Sequence, residues 1–533
     1  MPSRQSAEGN SRVTLYDTTL RDGTQREGLS LSAEDKLRIV RRLDGLGIHV
    51  IEGGFPASNP KDIEFFGRVR DLELKNAVIA SFGQTRRKDI PAAEDEGLRA
   101  LLDSGTPAIT LVGKAWDIHV TETLRTSLEE NLAMVSDSVA YLKAAGRVVY
   151  FDAEHFFDGY AANAGYALAV CRAAADAGAD GVVLCDTNGG TLPQDIERVV
   201  AVVVEQVRCE IGIHAHDDAG CAVANSLIAV GAGARQVQGT INGYGERAGN
   251  ADLIAVLPAL KLKLGIPVVT DDQLKLLTEV SHFVAETANL APDPHQPYVG
   301  ASAFAHKGGM HASAVDRLDA AYEHVDPASI GNKTRVLVSE LAGRASLTMK
   351  AAEMGIDLSD QPERVGQLLD EIKRLEHAGY AFETADGSLE LMLRRRLGMY
   401  EPFFRLESFD VMLNKREDGR VATDAIVRIW VEGERLVAWA EAGGPVNALD
   451  WALRRALNGR FPGLDRIELI DYKVRVLEDR LGTGKVTRVL VESTNGEQTW
   501  GTIGVSENII EASWEALVDA VEFGLTHPPE DAR

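Results

Sequence analysis

The sequence has no long hydrophobic run, few cysteines and no excess of basic residues. No apolar stretch approaches the ~20 residues that a membrane-spanning helix needs, and the first residues, MPSRQSAEGNSR, lack the apolar core of a signal peptide. The four cysteines, Cys171, Cys185, Cys209 and Cys221, show no CxxC spacing and are typical of reduced thiols in a cytosolic protein. We therefore expect a cytoplasmic protein with no membrane partner.

The charge balance is acidic. The 533 residues include 56 Lys and Arg against 80 Asp and Glu, which gives a formal net charge of -24. Nucleic acids and anionic membranes are bound by basic surfaces, so this balance disfavours both as partners. Small anionic substrates remain possible because they require only a local cation. The length exceeds that of one ordinary domain, so we expect two or three.

Short apolar segments alternate with stretches of helical spacing from about residue 12. The strand candidates are VTLYDTT, IHVIEGGF, AVIASFG, AITLVGK, VVYFDAE, GVVLCDT, CEIGIHAH and RQVQGTI. Eight such units over roughly 250 residues match a (β/α)8 TIM barrel, an α/β fold. The alternative is a doubly wound open sheet, although no GxGxxG follows the first strand as it would in a dinucleotide-binding sheet.

One helix has clear signals at both ends. In SAEDKLRIVRRLDGLG, Ser32 can cap the first turn, Asp35 lies three residues further on, and Gly47 follows the last apolar residue. Leu37, Leu43 and their apolar neighbours recur at helical spacing. This segment is therefore predicted to be an amphipathic helix packed against the barrel.

The pattern of apolar and polar residues changes twice after the predicted barrel. We predict a disordered lead-in over residues 1–11, the barrel over 12–270, helical linker subdomains over 271–400 and an α+β domain over 401–533. In the last domain, Gly433-Glu434 precedes Trp451 by the spacing that separates Gly496-Glu497 from Trp514. This internal repeat predicts two copies of a strand–strand–helix unit.

The segment GIHAHDDAG, at residues 212–220, is a candidate metal site. His214 and His216 would point to the same side of the seventh strand, at its carboxyl end. Asp22 follows the first strand, which is separated from the seventh only by the eighth in a closed barrel. Two imidazoles and a carboxylate form a common open site for a divalent ion, so these three residues could share one ion. A solvent-facing histidine pair is the alternative.

Other strands also end in polar residues. Glu52 ends the second strand, Glu154 the fifth and Asp186 the sixth, and the glycine-rich NGYGERAGN at residues 242–250 follows the eighth. The carboxyl ends of the strands form the active face in barrels of this type. Polar endings on several strands therefore predict a substrate cavity there.

Two long segments carry a family resemblance. Two segments are similar to the two signatures of the α-isopropylmalate, homocitrate and citramalate synthase family: LRDGTQ followed, after ten intervening residues, by Lys36, and IGIHAHDDAGCAVA. GNADL and FAHKGGMHASAV resemble further segments of that family, and the C-terminal repeat resembles its regulatory dimerisation domain. TLVGKAWDIHV and FDAEHFFDGY are most similar to the citramalate synthase branch. The resemblance spans nearly the whole chain from about residue 12.

The resemblance implies a role for each matching residue. It implies Asp22, His214, His216 and Asn250 as metal ligands, Arg21 and Thr187 as substrate-binding residues, and Arg21, Glu154, His311 and Tyr322 as catalytic residues. His311, together with Glu154, would remove a proton from acetyl-CoA, and Arg21 would face the developing enolate oxygen. Asp152 lies near a position where the resemblance leads us to expect an aromatic residue, and we assign it no role.

The implied reaction is the condensation of acetyl-CoA, as co-substrate, with pyruvate to give citramalate in isoleucine biosynthesis. A divalent ion (Mn, Mg, Zn or Co) would polarise the 2-oxo acid, and isoleucine or a related amino acid would act as feedback effector on a homodimer. An α-isopropylmalate or homocitrate synthase acting on a larger 2-oxo acid is the nearest alternative. A retro-aldol lyase or biotin-dependent carboxyltransferase, an iron oxygenase and a metal-dependent sensor are the others.

Overall fold

Eight parallel strands form a closed barrel in sequence order, which confirms the predicted fold class. The computed structural model describes residues 12–57, 59–306, 323–338, 343–415, 417–477 and 486–529. The barrel strands are β1 (Thr14–Asp17), β2 (Val50–Glu52), β3 (Val78–Gln84), β4 (Ala108–Lys114), β5 (Val148–Glu154), β6 (Gly181–Asp186), β7 (Glu210–Ala215) and β8 (Gln236–Gly239). Pairing of β1 with β8 closes the ring.

Helices alternate with these strands and cover the barrel. They are α1 (Ala33–Leu46), α2 (Pro60–Val69), α3 (Glu96–Asp103), α4 (Leu128–Ala144), α5 (Phe156–Asp176), α6 (Pro193–Gln206), α7 (Ala222–Gly231) and α8 (Leu253–Pro258). The strands are apolar along most of their length because a parallel sheet covered by helices is buried on both faces. This arrangement leaves the carboxyl ends of the strands as the place where polar side chains can gather.

The predicted signals of α1 are confirmed. The Ser32 hydroxyl accepts a hydrogen bond from the Asp35 backbone N–H at 3.1 Å, and the Ser32 N–H donates to the Asp35 carboxylate at 3.0 Å. Gly47 ends the helix with φ 91°, a left-handed conformation that favours glycine. Leu37 and Leu43 are buried on the face turned to the barrel. Local capping and the apolar stripe thus specify the same helix.

The chain divides into two compact units. The first contains the described residues of 12–304 and 323–333, and the second contains those of 305–306 and 334–529. Beyond the barrel, the first unit adds α9 (Asp271–Leu274) and α10 (Leu277–Thr287). The second begins with the paired β9 (Ala305–His306) and β10 (Arg335–Val336), followed by α11 (Arg344–Glu353), α12 (Pro362–His377) and α13 (Asp386–Leu397). The predicted domain boundaries at 270 and 400 stay a prediction.

The C-terminal repeat has three strands and one helix per copy, so the predicted strand–strand–helix unit omits one strand. The first copy is β11 (Arg405–Lys415), β12 (Val421–Val431), β13 (Glu434–Ala442) and α14 (Pro445–Leu457), and the second is β14 (Glu468–Val476), β15 (Thr487–Thr494), β16 (Thr499–Ser506) and α15 (Ile509–Thr526). The missed strands, β11 and β14, lie at sheet edges and are largely exposed.

Within the described ranges, none of the helices is both long enough and apolar enough to cross a membrane.

Candidate active site and metal centre

Three of the predicted metal ligands meet at the carboxyl end of the barrel. Asp22 begins the 3-10 turn Gly23–Gln25 after β1, His214 lies in β7, and His216 follows that strand. The Nε2 atoms of His214 and His216 are 3.1 Å apart, and they lie 3.2 Å and 3.8 Å from the Asp22 Oδ2 atom. All three side chains are buried. Ligand atoms about 2.1 Å from a tetrahedral ion would be about 3.4 Å apart, so the spacing fits one divalent cation.

Asn250 completes this cluster. Its Nδ2 atom lies 2.8 Å from Asp22 Oδ2 and 3.2 Å from His214 Nε2, while its buried Oδ1 atom has no hydrogen-bond partner among the described residues. A half-turn of the amide would place the unpaired oxygen beside the carboxylate and the imidazoles. An amide oxygen suits divalent cations better than an amide nitrogen does. The donor set of Asp22, His214, His216 and Asn250 therefore fits a metal ion.

The surroundings of the cluster favour an ionised Asp22 and a neutral His216, whereas the pKa of His214 is raised. Burial alone would raise the pKa of Asp22, but the Arg21 charge and the His214 hydrogen bond hold that pKa well below its usual range. For His214, burial acts to lower the pKa, and the Asp22 hydrogen bond and charge raise it. Burial, and then the neighbouring His214, lowers the pKa of His216 to about 4. A neutral imidazole is the form that binds a metal.

Arg21 is held in one orientation beside the cluster. Its Nε atom donates to the Glu52 carboxylate at 2.5 Å, and its guanidinium carbon lies 3.8 Å from the centre of the Phe82 ring. The second Glu52 oxygen accepts a hydrogen bond from the Tyr16 hydroxyl at 2.7 Å. Burial acts to lower the pKa of Arg21, but the Glu52 and Asp22 charges raise it. Arg21 is therefore a fixed cation at the wall of the site.

A cavity of about 610 Å³ opens above these groups. This volume lies within the usual range for small-molecule sites. Arg21, Asp22, His214 and His216 line it. The predicted site residues Glu154 and Thr187 also line it, together with Lys36, Asp62, Phe82 and Asp152. Of the polar strand endings that predict a cavity, Glu154 and Glu246 of the segment 242–250 line it, whereas Glu52 and Asp186 are not among the lining residues.

Glu154 and Thr187 already have partners inside the protein. The Glu154 carboxylate forms an ion pair with Lys114, and the Thr187 hydroxyl accepts a hydrogen bond from the His155 N–H at 2.9 Å. The Thr187 hydroxyl can still donate its own proton to a substrate carboxylate. His311 and Tyr322 lie outside the described residues, so their predicted roles stay predictions.

Sequence reasoning missed the side chains that support the two histidines. Gln238 Oε1 lies 2.8 Å from His214 Nδ1, and the Arg247 Nη2 atom lies 3.2 Å from His216 Nδ1. Arg247 also binds the Asp218 carboxylate through two hydrogen bonds of 2.8 Å and 2.9 Å. The only sequence signal for Gln238 is that it is one of two glutamines in the short, buried QVQG strand. Partners of this kind fix the orientation of metal-binding imidazoles.

Family models match three successive parts of the chain. Residues 12–284 match the HMGL-like family, 298–379 the homocitrate synthase post-HMGL domain-like family, and 383–525 the LeuA allosteric (dimerisation) domain. An (R)-citramalate synthase of Streptomyces coelicolor is 53% identical over 522 residues, which cover 98% of this chain and 98% of that protein. The chain belongs to the citramalate synthase family. The resemblance seen in the sequence signatures is therefore confirmed.

Two further relatives indicate where the chain lies among these enzymes. The (R)-citramalate synthase of Aquifex aeolicus is 50% identical, over 98% of this chain and 99% of that protein. A probable 2-isopropylmalate synthase of Methanopyrus kandleri is 34% identical, over 96% of this chain and 98% of that protein. The citramalate synthases of Streptomyces coelicolor and Aquifex aeolicus are thus markedly more similar to this chain than this isopropylmalate synthase is.

Proposed function

We propose that this chain is an (R)-citramalate synthase, an acyltransferase that condenses acetyl-CoA with pyruvate and water to give citramalate and CoA in isoleucine biosynthesis. The observation that carries the proposal is the buried group of Asp22, His214, His216 and Asn250 beside the fixed cation Arg21. The high identity to citramalate synthases over nearly the full chain supports the choice of substrate. The cytoplasmic location expected from the sequence stays a prediction.

The residues of the cavity suit the steps of this reaction. The methyl group of acetyl-CoA must lose a proton, its carbon must bond to the keto carbon of pyruvate, and water must then cleave the thioester. A divalent ion, when bound, would polarise the keto group of pyruvate. Arg21 offers a fixed positive charge to the enolate oxygen, and the Thr187 hydroxyl can donate to the carboxylate of pyruvate. His311 with Glu154 remains the predicted base system, and Tyr322 the additional linker residue.

The substrate preference tests this proposal. We expect CoA release with pyruvate to exceed that with 2-oxoisovalerate and 2-oxoglutarate by at least about tenfold in kcat/KM, because a misfit of one or two methylenes costs about 1–3 kcal/mol. CoA release is followed with a thiol reagent, and the product is separated by chiral chromatography. Preference for a larger 2-oxo acid would instead support an α-isopropylmalate or homocitrate synthase. Absence of turnover with bound metal would support a sensor.

We propose that the repeat domain binds isoleucine or a related amino acid and joins two chains into a homodimer. The match to the LeuA allosteric (dimerisation) domain supports this proposal. A cavity of about 630 Å³ lies against α14 and β14, where Arg454 could hold a carboxylate, Glu468 an ammonium group, and Val446 and Ile467 an apolar side chain. Large apolar side chains are exposed on the strands of both sheets, namely Met412, Leu413, Val437, Trp439, Ile470, Val474 and Val476.

Filling this cavity should remove the feedback. We expect isoleucine to inhibit the wild-type enzyme, and Val446→Phe to raise the inhibitory concentration by at least about tenfold at unchanged basal rate, since lost apolar fit of this size costs about 1–3 kcal/mol. Val421→Phe places the same residue at an exposed site outside the cavity and serves as the control. Equal inhibition of Val446→Phe and wild type would contradict the proposed site. The homodimer is tested by light scattering on the eluting protein.

Deleting residues from 401 onward would be a poor substitute for this variant. Ile503 of β16 packs in one apolar cluster with Leu389 and Leu393 of α13 and Phe382. Ser388 also donates a hydrogen bond to Asp519 of α15 at 2.7 Å. The cut would therefore expose the apolar face of α13, so a point variant separates regulation from folding more cleanly.

A further inference from the structure

A line of three buried polar side chains leads from the cavity wall to the metal cluster. Asp152 of β5, Gln238 of β8 and His214 of β7 are all nearly inaccessible to solvent. The Gln238 Nε2 atom donates to Asp152 Oδ1 at 3.0 Å, and the Gln238 Oε1 atom lies 2.8 Å from His214 Nδ1. His214 and Gln238 are register partners on adjacent strands. The line therefore depends on the closed barrel, which brings three strands to one point.

With Asp152 ionised, the order of donors and acceptors along this line has one consistent solution. Burial raises the pKa of Asp152 to about 7. Its carboxylate form only accepts hydrogen bonds, so it faces the NH2 end of the Gln238 amide, as the Nε2 contact shows. The oxygen of that amide then faces His214, whose Nδ1 must carry the proton and donate it. The remaining nitrogen, Nε2, keeps its lone pair and points toward Asp22, His216 and Asn250. A cation-binding imidazole needs this tautomer.

We propose that Asp152 and Gln238 are positioning residues that fix the tautomer of His214 for cation binding. Asp152 sets the orientation of the Gln238 amide, and that amide sets the protonated nitrogen of His214. This inference rests on the proposed cation site but not on the proposed substrate. It gives a role to Asp152, to which the family resemblance assigns none.

The other histidine of the cluster differs in this respect. His216 Nδ1 lies next to the Arg247 guanidinium, which has only donors, so Nδ1 accepts in that contact and the contact does not favour the tautomer inferred for His214. Because His214 lies between Gln238 and three cluster residues, its orientation matters most for cation binding. Loss of the line should therefore act on cation affinity before it acts on any later step.

Exchanging the carboxylate of Asp152 with the amide of Gln238 provides the test. In Asp152→Asn the amide of residue 152 can face Gln238 with either end, so the Gln238 amide can turn its NH2 group toward His214. In the double variant Asp152→Asn, Gln238→Glu, the new amide donates to the new carboxylate, and the carboxylate accepts from His214 Nδ1. Both substitutions keep the side-chain shape, so a role in packing alone would not predict rescue.

The readouts are the dissociation constant of Co²⁺ alone, by calorimetry, and the visible absorption of the bound Co²⁺. We expect Asp152→Asn to weaken Co²⁺ binding about 10- to 100-fold and to alter the spectrum. The double variant should return to within about threefold of wild type, a small change on the scale of such effects. Asp17→Asn, a buried aspartate of β1 that contacts Thr19 and not the cluster, should leave both unchanged.

The outcomes separate this inference from the proposed function. Wild-type affinity and spectrum in a folded Asp152→Asn variant, or a folded double variant without recovery, would overturn the inference alone. Failure of the wild-type chain to bind any divalent ion would overturn the cation site, and the inference with it. Circular dichroism of each variant establishes that it is folded.

Discussion

Replacing Asp22 by asparagine should abolish turnover. The carboxylate lies within 3.8 Å of both imidazole Nε2 atoms and is the acidic member of the cluster. Its loss would remove the charge that attracts a cation and would leave Arg21, 3.3 Å away, without one of its two carboxylate neighbours. We expect kcat to fall by at least about 10³-fold, the scale of losses when a group that stabilises developing charge is removed.

The measurement is CoA release at saturating substrates, together with the Co²⁺ dissociation constant of the same preparation. Asp22→Asn should bind the ion far more weakly than wild type, whereas Asp17→Asn, five residues earlier and also buried, should change neither quantity greatly. If a folded Asp22→Asn variant kept more than about a tenth of wild-type kcat, the cluster could not be the centre of the reaction.

Replacing Arg21 by lysine should reduce turnover without removing the cation. Lysine keeps a positive charge but cannot reproduce the planar contact with Phe82 while donating to Glu52. The charge would then no longer be held where the enolate oxygen forms. We expect kcat to fall about 10²- to 10³-fold, as when a single fixed donor to a developing oxyanion is lost.

The contrast between the two variants is the informative result. Arg21→Lys should keep Co²⁺ affinity near the wild-type value, because Arg21 touches the carboxylate of Asp22 and none of the imidazoles. Arg26→Lys, an exposed neighbour outside the cavity, is the matched control. A kcat of Arg21→Lys within about threefold of wild type would mean that Arg21 serves structure and not the reaction.

The barrel and its active face could be predicted because the signals are local. Most strands are short apolar segments, and a helix such as α1 carries its own periodicity and its own end signals, Ser32 and Gly47. His214 and His216 are two residues apart in one strand, so their shared direction follows from strand geometry alone. Asp22 could be joined to them because the order of strands in a closed barrel fixes which ends are neighbours.

The supporting side chains could not be predicted because they depend on register across strands. That Gln238 lies opposite His214, and that Asp152 reaches Gln238 from β5, follows from the stagger of the closed barrel and the inward direction of all three side chains. No spacing in the sequence encodes these facts. The edge strands β11 and β14 also escaped prediction, although apolar and charged residues alternate along IDYKVRV in β14.

Closure of the ring has a thermodynamic consequence. Asp22 follows the first strand, whereas Asn250 comes after the eighth. A shared ion would therefore link the two strands whose pairing closes the barrel. Separation of these two strands would break the ion's coordination. Binding of the ion would therefore oppose unfolding of the entire barrel rather than fraying of one loop. At a free ion concentration of 100 times Kd the gain would be about 2.7 kcal/mol. Chelation should accordingly lower the melting temperature of the catalytic half as one cooperative block.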